Sequence, residues 1–169
     1  LHLSIRRQRQ MCIRDSRLLY CLLVANIAEV LTLRNEEAGL EYAEKCYLLG
    51  RQNNDPYLIY CGAISMARNL CLNRKMEEAW RYTREADRLS KRYDFKNRSD
   101  IYNTYGEIAL EAGDYMKAGL YYEQAIREHG FSQAAYVVST YVGYGRALIA
   151  QKKYLSLIHI SEPTRLRRI

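Results

Sequence analysis

A few residues in this chain have types and spacing that could do chemistry. Of its three histidines only His129 lies away from the chain ends. It sits just before Gly130, at the end of a second helix of the repeat, where an imidazole commonly interacts with the helix C-terminus. The paired carboxylates Glu36 and Glu37, and Glu77 and Glu78, suit general acid–base work in principle. Both pairs stand where helices begin, however, and acidic residues there complement the helix dipole. The segment Gly143-Tyr144-Gly145 has glycines but no strand before it, so it does not form a phosphate loop. The cysteines include no CxxC and no Cys/His cluster, which removes the usual signatures of zinc and dithiol chemistry. Sequence alone therefore predicts no catalytic residue, no cofactor and no metal, and a chain that is not an enzyme.

The elements that position these residues follow from an internal repeat. Small residues recur at Ala28, Ala67, Gly106 and Gly145, each 39 residues after the last. The same step relates Ile27, Met66, Tyr105 and Tyr144, then Leu31, Leu70, Ala109 and Leu148, and then Val24, Ala63, Tyr102 and Tyr141. Within one copy, positions 102, 105, 106 and 109 fall on one face of a helix of 3.6 residues per turn. A tight turn at 111–115 follows, in which Gly113 takes positive φ and Asp114 caps the next helix. That second helix packs through Ala118, Tyr122 and Ala125, with Ala79, Thr83 and Ala86 equivalent one copy earlier and Gly39, Ala43 and Cys46 in the first copy. The predicted helices are 18–33, 36–50, 56–73, 76–92, 99–112, 115–129 and 132–151, with Pro56 in a first turn, where its missing N–H costs nothing.

The segment YNTYGEIALEAGDYMKAGLYYEQAI resembles the tetratricopeptide repeat, with its aromatic, large-small pair, Gly-Asp-Tyr turn, and Ala, aromatic, Ala second helix. AISMARNLCLNRKMEEAWRYTREA resembles it too, and the first and fourth copies do so in part. Two departures stand out: Gly130 replaces the usual closing proline, and the period exceeds the common length of about 34 residues. The resemblance implies an all-α fold, a right-handed α-solenoid of antiparallel helix pairs with about three and a half repeats. It also implies a groove lined by the first helices of the pairs, at the positions of Arg68, Asn103, Glu107 and Arg146, which would receive a protein or peptide without catalysis. Longer repeats of this kind look like the sensor arms of large bacterial regulators or kinases, which is the alternative function.

Both chain ends resemble something else. RRQRQMCIRDS, Arg6 to Ser16, and LSLIHISEPTR, Leu155 to Arg165, resemble one transposase-library sequencing adapter translated in opposite orientations. Residues 1–16 and 155–169 are accordingly expected to be adapter-derived, leaving 17–154 as a metagenomic fragment of the repeat protein. The ends carry seven arginines and two acidic residues, so 17–154 retains 19 basic and 17 acidic residues, a net charge of +2 in place of +7. No basic stripe remains to argue for nucleic acid or an anionic membrane. No apolar run there is long enough to span a bilayer, and scattered cysteines at apolar positions fit a reducing, cytoplasmic setting.

The repeat sets three further expectations. Tyr102, Tyr105, Tyr115, Tyr122, Tyr141 and Tyr144 fall where the repeat wants core aromatics. Glu29, Arg68, Glu107 and Arg146 share one phase and alternate in sign, so they should form an exposed acid–base ladder. The last helix, lacking a partner, should expose an apolar repeat edge able to self-associate.

Overall fold

Helix boundaries in this chain are set by turn chemistry before packing acts. The computed structural model describes residues 19–21, 23–32, 34, 36, 38–95, 98–128 and 134–152. Both adapter-like ends, His129 and Gly130 lie outside them. Seven helices and no strand are found among the described residues. Residues 19–21 and 23–32 form α1; then come α2 (Ala38–Asn53), α3 (Pro56–Leu72), α4 (Met76–Arg92), α5 (Ser99–Glu111), α6 (Tyr115–Glu128) and α7 (Ala134–Ala150).

Four of these helices end identically. A backbone N–H reaches back five residues: Asp55 to Gly50 at 2.9 Å, Lys75 to Leu70 at 2.9 Å, Phe95 to Ser90 at 3.0 Å and Asp114 to Ala109 at 2.9 Å. The residue before each donor is left-handed, with φ of 50° at Asn54, 58° at Arg74, 52° at Asp94 and 79° at Gly113. This closure satisfies carbonyls that the helix end leaves unpaired. Two of the helices that follow, α3 and α6, start on side-chain caps, whereas α4 and α5 do not. Asp55 Oδ1 accepts from the backbone N–H of Tyr57 at 2.9 Å and of Leu58 at 3.1 Å, with Pro56 in the first turn. Asp114 Oδ1 accepts from Lys117 N–H at 3.1 Å.

The second helix departs from its expected span of 36–50. It starts at Ala38 and continues to Asn53, because Gly50 is a packing position and not a terminator. A Cβ at Gly50 would lie 2.6 Å from Ile59 N, so only glycine lets α2 cross the start of α3 this closely.

Each helix packs on its chain neighbours through small residues. Ala43, Ala79, Thr83, Ala86, Ala118 and Ala125 are fully buried, as are Ala28 and Ala67 on the facing helices. Tyr122 is the largest of the fully buried side chains, and it lies between α5 and α7 against Gly106 and Gly143. In addition α3 lies directly against α5, and α5 against α7. By contrast α2, α4 and α6 meet one another only through long side chains, including Tyr47 on Tyr82 at 5.6 Å and Trp80 on Tyr121 at 6.4 Å between ring centroids. Of the aromatics expected in the core, Tyr105 and Tyr122 are buried and Tyr102, Tyr141 and Tyr144 half-buried. Tyr115 is exposed, because as the first residue of α6 it precedes the packed face.

Candidate functional site

The helices α3, α5 and α7, lying side by side, bring Arg68, Asn103, Glu107 and Arg146 to one region. Asn103 and Glu107 are one turn apart on α5, so the Asn103 amide donates to Glu107 Oε1 at 2.9 Å. From α3, Arg68 reaches the same carboxylate, with Nε 3.4 Å from Oε2 and Nη2 3.5 Å from Oε1. Arg68 is 5% exposed and Asn103 1%, which corrects the expectation of a solvated groove floor. Burying an arginine demands an anionic partner because its charge cannot be discharged by titration, and Glu107 meets that demand. The Asn103 Oδ1 atom is buried and accepts no hydrogen bond.

The expected ladder is realised at one rung and displaced at the next. Arg146 pairs with Glu111 at 3.4 Å, not with Glu107. Glu111 lies one turn beyond Glu107 on the same face of α5, and that spacing was the signal by which it could have been found.

A cavity of about 260 Å³ opens beside these groups, lined among others by Arg68, Glu107, Glu111, Arg146, Cys71 and Tyr122. Thr32, Cys71 and Leu110, which also line it, stand one 39-residue step apart, as do Arg68, Glu107 and Arg146. Two phases of the repeat therefore build the wall. Burial, with the carboxylates of Glu107 and Glu111, pushes the Cys71 thiol up to about 12. Burial and Glu107 likewise hold the Tyr122 hydroxyl well above its ordinary value. Both groups stay protonated near neutrality, so Cys71 offers no thiolate nucleophile. The arrangement presents a buried arginine paired with a half-buried carboxylate, neutral polar neighbours and an exposed arginine, groups suited to holding a polar ligand.

The other residues with chemical potential are placed as follows. Gly143 abuts Tyr122 inside α7, and the Tyr144 hydroxyl donates to Glu123 at 2.7 Å. Glu77 and Glu78 occupy the first turn of α4. Cys21, Cys46 and Cys71 are buried free thiols and Cys61 is half-buried. Among the described residues no group of three or more candidate metal ligands converges, and no helix is long and apolar enough to cross a membrane. No protein-family model, no curated protein and no solved structure matches this chain.

Proposed function

We propose that this chain is a tetratricopeptide-like repeat scaffold, a right-handed α-solenoid of antiparallel helix pairs that binds a protein or peptide without catalysing a reaction. Support for the repeat comes from the turns. Arg74, Gly113 and Lys152 are left-handed with φ of 58°, 79° and 58°, and each lies one 39-residue step from the next. Binding rests on one observation above all, the Arg68 and Glu107 pair kept at a cavity wall. Burying an arginine against a half-buried carboxylate is seldom the best choice for stability, since apolar residues of similar volume serve as well or better. The pair's position beside an open cavity is what recognition of a polar main chain or charged side chain requires. Arg146, with its side chain 62% exposed, supplies the outer contact.

The test is a peptide-display selection on the purified chain, followed by calorimetry of the enriched peptide. Arg146→Glu, at an exposed position, should weaken binding about tenfold or more, as loss of an anchoring arginine does. Asn103→Ala should also weaken it with the helical signal retained. Peptides that bind both variants as tightly as the parent chain would place the site elsewhere.

A further inference from the structure

The two ends of the helix array carry complementary halves of the contact that the array makes internally. Inside the molecule, each odd-numbered helix meets the next through pairs of residues 37 positions apart. Asn69 donates to Thr32 Oγ1 at 2.7 Å in this register. Cys21 and Leu58 share one apolar cluster, Ile64 and Ile101 a second, Cys71 and Ile108 a third, and Leu110 and Ala147 a fourth. The leading residues of these pairs form a stripe that the odd-numbered helices repeat: Tyr60, Ile64 and Cys71 on α3, and Ser99, Asn103 and Leu110 on α5. All six are at most 8% exposed. Their equivalents on α7 are Val138, Val142 and Ile149, and these are 61%, 58% and 52% exposed.

At the opposite end the receiving stripe is bare. Leu58, Gly62 and Asn69 on α3, and Ile101 and Ile108 on α5, are buried. Their equivalents on α1 are Leu19, Leu23 and Val30, which are 69%, 54% and 52% exposed. Continuing the register beyond α7 would set Leu19 against Val138, Leu23 against Val142 and Val30 against Ile149. All three pairs are aliphatic on both sides, whereas the internal steps include polar partners such as Thr32 with Asn69.

We infer that copies of this chain associate head to tail, α7 of one molecule docking on α1 of the next, with a second copy as the occupant of the bare α7 face. Such a contact is heterologous, so each molecule keeps one free end and assembly does not stop at a dimer. The contact is independent of what the groove binds.

Sedimentation of the full chain at rising concentration tests this. The mean mass should climb from 19.8 kDa past twice that value without levelling there. Val142→Glu and Leu23→Glu each bury a carboxylate in the contact, and each alone should lower association about tenfold or more. Mixed together they should give a one-to-one dimer, because each retains the end that the other has lost. Ile149→Ser and Val30→Ser form a second pair should either glutamate disturb the helical signal. A chain monomeric throughout, or a mixture that forms no dimer, would overturn the inference. So would loss with Val142→Glu but not with Leu23→Glu, which would mean that α7 faces pair back to back.

Discussion

Replacing Gly143 by alanine sets two known effects against each other. Alanine is the better helix former by about 1 kcal/mol, so propensity alone predicts a more stable protein. The structure predicts the opposite. A Cβ at Gly143 would lie 2.5 Å from Tyr122 Oη and 2.7 Å from Cε1, with Cζ closer still. Tyr122 is 1% exposed, and on its α5 side a Cβ at Gly106 would already lie 2.8 Å from the ring. The ring therefore has nowhere to retreat, and overpacking of this kind costs about 1–3 kcal/mol. The net expectation is a loss of about 1–2 kcal/mol, a fall in Tm of about 3–8 °C for a domain of this size. Thermal and urea unfolding followed by circular dichroism would measure it. A Tyr122→Ala background completes the cycle: with the ring gone, Gly143→Ala should become stabilising, giving a coupling of about 2–3 kcal/mol. A rise in Tm for the single variant, or no coupling, would refute the wedge.

Gly113→Ala meets no atom within 4 Å yet should cost about 1 kcal/mol, because φ is 79° there; an unchanged urea midpoint would contradict the turn geometry. Deleting residues 1–16 and 155–169 should leave the cooperative helical melt of the repeats unchanged, and its loss would count against the adapter origin of the ends. Burial pushes the Cys61 and Cys71 thiols from an ordinary 9 up to about 12. Raised folded values favour the protonated thiol, so their contribution is fully present below pH 9 and is lost as pH climbs towards 12. Urea midpoints should accordingly fall across that alkaline window, and midpoints flat through it would show that the thiols are solvated.

What the sequence revealed depends on how directly side-chain size reports geometry. The 39-residue step was legible because Ala28, Ala67 and Gly106 are small and buried where helices touch. Helix starts were legible at Asp55-Pro56 and at Gly113-Asp114 for similarly local reasons. Left-handed turn residues are marked by type at Gly113, and more weakly at Asn54 and Asp94, which tolerate this backbone. Arg74 adopts the same backbone as Gly113 at a cost of about 1–2 kcal/mol, and its side chain gives no hint of it. At the candidate site, repeat phase brought Arg68 and Glu107 together correctly. It missed the depth of Arg68, because periodicity gives direction around a helix and not how much neighbouring helices cover. It also missed Glu111, since a long arginine chooses between carboxylates one turn apart by reach, which no residue count encodes.

The unequal spacing of the two sets of helices has a mechanical consequence. Odd-numbered helices lie directly side by side with short side chains between them, whereas even-numbered ones are bridged by Tyr47 with Tyr82, by Arg51 with Glu85 and by Trp80 with Tyr121. Short buried side chains packed between the odd helices leave little slack, while tyrosine and arginine bridges lengthen by changing rotamer. A bending load is therefore taken up on the even side, with the odd side as the neutral line. Each aromatic bridge resists with only about 0.5–1.5 kcal/mol beyond its burial. Under such a load the array would behave like a strip with one stiff and one compliant edge, and the wall formed by α3, α5 and α7 would keep its dimensions while the opposite side yields.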